Sequence, residues 1–177
     1  MGKRDFIREF EGYTLRIGRP EEAEAYFEAG FAAPDEDSLR LTGSRSFSRD
    51  EVIPFFLSCI DRNDRADFLL ISPDGKILGE SVLNEYDEVA NACNYRICIF
   101  SPAHRNRGLG TWMTRCALEY AFDFWGLDKV TLEVFSENPR AEAVYRKCGF
   151  RRDGIDLGAA PAGMGDVVYM LREKPEA

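Results

Sequence analysis

The hexapeptide Arg105-Asn106-Arg107-Gly108-Leu109-Gly110 constrains this chain more than any other segment, because of its neighbours. Ahead of it lies an apolar run, Ile97-Cys98-Ile99-Phe100, closed by Ser101-Pro102. Behind it, apolar residues recur at Leu109, Met113, Cys116, Ala117, Tyr120 and Phe124, the spacing of one helix face. The order is strand, glycine-rich turn, helix N-terminus. A first helical turn carries unpaired N–H groups and a partial positive charge, so it attracts an anion. Glycines let phosphate oxygens approach the main chain, and Arg105 and Arg107 add full charges beside it. The segment is not a P-loop, since no Lys-Ser/Thr pair follows Gly110, and position 113 is Met rather than the third glycine of a dinucleotide fingerprint.

About thirty residues further on, the chain reads Leu132-Glu133-Val134, then Asn138-Pro139-Arg140-Ala141-Glu142-Ala143-Val144-Tyr145-Arg146-Lys147-Cys148-Gly149-Phe150. The two blocks together resemble the GNAT superfamily of N-acetyltransferases. Arg105, Gly108 and Gly110 match its acetyl-CoA loop, Arg/Gln-x-x-Gly-x-Gly/Ala. Asn138, Ala141, Tyr145, Gly149 and Phe150 fill every position of its later signature, Asn-x-x-Ala-x-x-x-Tyr-x-x-x-Gly-Phe. The resemblance is carried by residues 94–150 and extends over 13–171. Within the superfamily it is nearest to the branch that acetylates ribosomal-protein N-termini, polyamines and similar amines.

Composition narrows the remaining classes. The 177 residues suffice for one domain with a real core, taken as 13–174 behind an N-terminal extension, 1–12. No apolar run reaches the roughly 18 residues of a membrane span, and Met1-Gly2-Lys3-Arg4-Asp5-Phe6 lacks the apolar stretch of a secretory signal. The expectation is a cytoplasmic protein that binds neither membrane nor nucleic acid, as a net charge of −8 would repel both. Five cysteines form no CxxC pair and read as buried hydrophobes in a reducing compartment. With one His, His104, no metal site is expected. A monomer or homodimer is expected.

Periodicity supplies the order of elements. A first strand is predicted over 13–18 and a helix from Pro20 to about Gly30, with Pro and acidic residues in its first turn. Residues 33–49 read as irregular, with Gly43 and Ser44 in the middle, and are expected to line the acceptor pocket. Ser48-Arg49-Asp50-Glu51 has the pattern of a capping box ahead of an apolar helix face, in which Pro54 marks either the first turn or a kink. Strands are predicted over 66–72, 77–85 and 91–100, the first two joined by the turn Pro73-Asp74-Gly75-Lys76. A helix over 111–125 ends at Gly126. A strand over 129–135 and a helix over 139–148 follow, with Asn138 as cap and Gly149 beyond its end; strands over 150–157 and 166–171 close the chain. This is the order of the acyl-CoA N-acyltransferase fold, a mixed, mostly antiparallel α/β sheet flanked by helices.

The resemblance implies direct acetyl transfer from acetyl-CoA to a small-molecule or peptide amine in a ternary complex. Two proton problems come with it. An alkyl amine is neutral in only about one molecule in two or three thousand at pH 7, which is worth about 4–5 kcal/mol, and the departing thiolate needs a proton. Tyr145 is the expected acid, because the family's tyrosine faces the sulfur and a phenol matches a thiolate in acidity. Packing on the face of Ala141, Val144 and Cys148 is its competing role. Relatives place a glutamate on the strand before the loop, where this chain has Asn94-Tyr95-Arg96. Glu133 is then the expected base, with Glu80 of Gly-Glu-Ser the alternative and a water chain without a single base the third. For the cofactor, the resemblance implies contacts from the main chain of Cys98, Ile99 and Phe100, from Arg105, Asn106, Arg107, Gly108, Leu109, Gly110 and Thr111 of the loop, and from Tyr145. Asn138 either bonds the pantetheine arm or only caps its helix, and His104 reads as a loop residue. A cofactor-binding sensor without turnover is the alternative to the enzyme.

Overall fold

A computed structural model describes residues 2–42, 46–161 and 163–176. One eight-stranded sheet in the order β1-β2-β3-β4-β5-β6-β8-β7 runs through it. The strands are β1 (Ile7–Phe10), β2 (Tyr13–Ile17), β3 (Ala66–Ile71), β4 (Ile77–Asp87), β5 (Ala92–Ile99), β6 (Lys129–Phe135), β7 (Arg151–Asp156) and β8 (Val167–Glu173). Every neighbouring pair is antiparallel except β5 and β6. This is the mixed, mostly antiparallel sheet the sequence predicts. One difference lies at the start: within 1–12, β1 pairs with β2 along four residues and Phe6 is buried in the main core.

Helices cover both faces unequally. On one face α4 (Leu109–Glu119) and α5 (Pro139–Lys147) close the main core, which gathers Leu15, Phe68, Leu83, Tyr95, Met113, Leu132 and Tyr145. On the other, α1 (Ala23–Gly30) and α3 (Arg49–Cys59) close a smaller cluster of Tyr26, Phe56, Ile60, Leu69, Ile77 and Phe100. The alternation Phe68/Leu70 to one cluster and Leu69/Ile71 to the other is the period-two signature of a strand buried on both sides, and all six residues of β3 are buried. At the far edge all six residues of β7 are exposed.

Three local readings change. Residues 36–42 form a short helix, α2 (Glu36–Thr42), within the segment expected to be irregular. Glu36 and Asp37 in its first turn and Arg40 in its last complement the helix dipole. Gly43 and Ser44 lie outside the described residues. Ser48 sits at the N-cap of α3 but its side chain makes no capping bond, and Pro54 lies inside the helix. The predicted helix over 111–125 divides into α4 and a wider turn, Tyr120–Phe124, where Trp125 N–H donates to the Tyr120 carbonyl at 3.0 Å before Gly126 (φ 73°) reverses the chain. Among the described residues no helix is long and apolar enough to cross a membrane.

Candidate active site

The site begins where β5 parts from β6. Their pairing covers only Ala92↔Lys129, Cys93↔Val130 and Asn94↔Thr131. Thr131 Oγ1 donates to the Cys93 carbonyl at 3.2 Å just before the strands diverge. On its other side β5 stays paired with β4 as far as Ile99. Phe100 N–H donates to the Leu78 carbonyl at 2.9 Å, so Phe100 and Leu78 are a bonded pair. The antiparallel alternation makes Cys98↔Glu80 and Arg96↔Val82 bonded pairs too. The main-chain groups of Ile97 and Ile99 therefore point away from β4, into the opening. Of the three residues expected to present main chain here, Ile99 does so through its N–H, its carbonyl accepting from Arg105, while Cys98 and the Phe100 N–H are engaged with β4. Ile97 was missed, because only the register reveals which residues have a free edge.

Glycine makes the tight β4–β5 contact possible. A Cβ on Gly79 would lie 2.4 Å from the Cys98 carbonyl oxygen. At the mouth of the opening, Gly108 adopts φ 79° and serves as N-cap of α4. The first helical bond runs from Trp112 N–H to the Gly108 carbonyl at 3.0 Å, leaving the N–H groups of Leu109, Gly110 and Thr111 without helical partners. Gly110 stands in open space: a Cβ there would meet nothing nearer than Val144 at 3.9 Å. Cys148 Sγ donates to the Thr111 carbonyl at 3.5 Å, which joins the end of α5 to the same turn.

The two loop arginines separate in role. Arg105, only 9% exposed, donates to both Asp35 oxygens (3.3 and 2.9 Å) and to the Ile99 carbonyl (3.2 and 3.1 Å). The sequence reading sets its charge beside phosphate; in the structure it braces the segment before α2 against the end of β5. Arg107 is exposed and makes no hydrogen bond or ion pair among the described residues, so it is the arginine available to an anion. Asn106 (φ 61°) shapes the turn. The three N–H groups at the start of α4, the exposed Arg107 guanidinium and the β5 edge that faces away from β4 fit a pyrophosphate followed by an amide-bearing arm.

Tyr145 of α5 is buried between the rings of Tyr95 (centroids 6.3 Å apart) and Phe150 (5.9 Å). Burial, then the neighbouring thiols of Cys98 and Cys148, raise its pKa, so the hydroxyl stays protonated at neutral pH. It makes no hydrogen bond among the described residues. Behind it, Ser81 Oγ, Tyr95 OH and Thr114 Oγ1 form a buried chain (3.2 and 3.1 Å) that ends on the Gly110 carbonyl at 2.7 Å.

The two carboxylates expected near the reaction differ in setting. Glu80 is partly buried, directly across the ladder from Cys98, and accepts a hydrogen bond from Tyr26 OH at 2.5 Å. Desolvation raises its pKa, against the pull of Arg96 and the Tyr26 bond. Glu133 is exposed on β6, opposite Tyr169. It lines an open groove of about 330 Å³ with Glu85, Asn94, Thr131, Asp153 and Tyr169. Asn138 accepts a bond from Ala141 N–H at 3.2 Å, which is helix capping. His104 ends a short turn with Nδ1 buried and unpartnered among the described residues. No three His, Cys, Asp or Glu side chains are gathered as a metal site among the described residues.

A strand pair that opens beside a glycine-capped helix suits an acyl-CoA ligand, and a family model matches the chain. Residues 23–150 match the acetyltransferase (GNAT) family, and the chain belongs to it. Among curated proteins it is similar to spermidine N(1)-acetyltransferase of Vibrio cholerae, 29% identical over 107 residues (60% of this chain, 61% of that protein), and to the Escherichia coli protein of the same name, 33% over 94 residues (53% and 49%). The alignments thus span about half to three fifths of these relatives. In three dimensions the chain superposes on the Vibrio cholerae spermidine N-acetyltransferase solved with CoA and spermine, with a TM-score of 0.80 at 22% identity over 93% of this chain and 96% of that one.

Proposed function

We propose that the chain transfers the acetyl group of acetyl-CoA to a primary amine, with Tyr145 as acid and Glu80, rather than Glu133, as base. The observation that carries this is Cys98 at the lip of the β5–β6 opening: Glu80 lies across the ladder from it on one face, and Tyr145, in the core on the other face, feels its thiol through space. The loop and α4 N–H groups would hold the pyrophosphate, and the Ile97 main chain with the Ile99 N–H the pantetheine amides. Bound acetyl-CoA supplies the thioester carbonyl. The amine nitrogen forms the new C–N bond as the C–S bond breaks. Glu80 takes the amine's proton and Tyr145 gives its own to the sulfur. Desolvation suits Glu80 to the first task, since a carboxylate with a raised pKa holds a proton more firmly. Glu133 is instead placed, with Glu85 and Asp153, to face the distal ammonium groups of a small polycation. Together with the spermidine-specific names of the relatives, this favours a polyamine acceptor.

Thiol release from acetyl-CoA, followed with spermidine, an N-terminal peptide and free amino acids, tests the assignment. Spermidine should be the best acceptor. Glu80→Gln should lower kcat/KM about 10²-fold or more and remove the acidic limb of its pH profile, whereas Glu133→Gln should raise the spermidine KM and leave kcat nearly unchanged. Preference for the peptide would overturn the acceptor, a slow Glu133→Gln enzyme the base, and acetyl-CoA binding with no thiol release from any amine the enzyme itself.

A further inference from the structure

The cluster that holds Glu80 belongs to the acceptor side of the sheet, and its organiser is Tyr26. Burying Ala23, Tyr26 and Phe27 lays one stripe of α1 on β4 and against α3. The Tyr26 ring is fixed on three sides. It stacks on Phe56 of α3, with centroids 4.4 Å apart and planes 23° apart. It meets Phe31 at 4.9 Å and turns an edge to Phe100 at 6.0 Å. A phenol held this firmly aims its hydroxyl with little freedom, and that hydroxyl donates to Glu80 Oε2 at 2.5 Å. The bond spans 54 residues of sequence and is the only hydrogen bond to the Glu80 carboxyl among the described residues.

We infer that Tyr26 is a positioning residue for the transfer: it fixes the Glu80 carboxylate toward the β5–β6 opening and keeps it ionised where the acceptor arrives. The inference rests on Glu80 being the base. A buried carboxylate with no donor would favour its neutral form and lose its basic function at neutral pH. The other groups facing Glu80 do not replace Tyr26. On β5, Cys98 lies opposite, and Arg96, on the same face, acts only through space and is exposed. On β3, Asp67 adds a like charge, although it is paired with Arg65 at 2.6 Å. From α3, Phe56 stacks on Tyr26 and is apolar. Oε1 stays open to a substrate because Tyr26 takes only Oε2.

Tyr26→Phe removes one oxygen and leaves the stack on Phe56 in place, so the fold should persist, with a melting temperature close to that of the parent. Without the donor, the carboxyl protonates at higher pH. The acidic limb of kcat/KM should therefore move up by about one pH unit, a loss of about tenfold on the limb, with most activity restored on the alkaline plateau and acetyl-CoA affinity unchanged. A lowered plateau with an unmoved limb would overturn the inference and leave Tyr26 as packing. Glu80→Gln separates the two levels of the argument. If that variant keeps the limb, the base assignment fails and the role of Tyr26 with it. If it loses the limb while Tyr26→Phe leaves it in place, only the role of Tyr26 fails. In the double variant the Tyr26 substitution should add nothing to the pH dependence, and an additional shift there would mean that Tyr26 acts on another group.

Discussion

The two sides of the β5–β6 opening are built by different means. On the cofactor side, α4 and α5 are joined to each other and to the sheet by short polar links within a packed core: Cys148 to Thr111, Thr114 to Gly110, Tyr95 between Ser81 and Thr114. The groups that would meet the cofactor are mostly main chain, set by glycines and strand phase. On the acceptor side, the groups are side chains from α1, β4, β5 and β6, held by rings and single long-range bonds such as Tyr26 to Glu80 and Arg105 to Asp35. A site made of main chain tolerates sequence change as long as the turn survives, whereas a site made of side chains is rewritten by each substitution. One side can thus serve a constant ligand and the other a variable one.

Two substitutions should break the cofactor side by different routes, the larger effect first. Tyr145→Phe keeps the ring between Tyr95 and Phe150 and removes the proton donor, so turnover should fall about 10²–10⁴-fold while acetyl-CoA affinity measured by calorimetry survives. Equal turnover would reduce Tyr145 to a packing residue. Gly110→Asp has room for its side chain, since only Val144 comes near. It would set a negative charge among the unpaired N–H groups where phosphate is expected. Acetyl-CoA binding should weaken about 10–100-fold, equivalent to the ~1.5–3 kcal/mol of a charge-assisted hydrogen bond, at a nearly constant melting temperature. Gly110→Ala should bind almost as the parent does. A Gly110→Asp protein with full affinity would move the phosphate away from this turn.

The same contrast explains what could be read beforehand. Gly108, Asn138, Tyr145 and Gly149 announce themselves because each does a local job: a left-handed turn, a cap, a buried ring on a helix face. Most of the elements around them follow from periodicity, although β1 and α2 do not. What stayed hidden needs distance in sequence. That Ile97 and Ile99 rather than Cys98 show main chain to the opening depends on the phase of the β4 ladder. That Arg105 is engaged by Asp35 depends on a segment 70 residues earlier, and that Glu80 rather than Glu133 is gathered with a donor depends on α1. Residues 36–42 read as irregular because Ser38 and Thr42 weigh against a helix that its terminal charges favour.

The smallest effect expected concerns the join between α5 and the sheet, and it tests whether the cofactor side is as firmly built as its bonds imply. Glu142, in the first turn of α5, is buried and receives Nε and Nη2 of Arg152 on β7 (2.7 and 2.8 Å) and of Arg146 one turn on (3.0 and 2.7 Å). The Arg152 bonds, ahead of the opposing desolvation and the Arg146 bond, hold its pKa down to about 2 from 4.5. A depressed carboxylate pKa contributes stability that is fully present above the unfolded value and is lost as pH falls through the folded one. The contribution should therefore be complete above about pH 5 and disappear between 4.5 and 2. Glu142→Gln keeps the shape and removes the charge. Both arginines can return to water, so the loss at pH 7 should be about 1–2 kcal/mol, a few degrees in melting temperature. The gap between parent and variant should close as the pH is lowered toward 2, with Tyr145-dependent turnover at pH 7 nearly preserved. A gap that stays constant down to pH 2 would mean that Glu142 stabilises α5 by shape, and a large loss of turnover with a small loss of stability would mean that α5 is held in register for catalysis by this join.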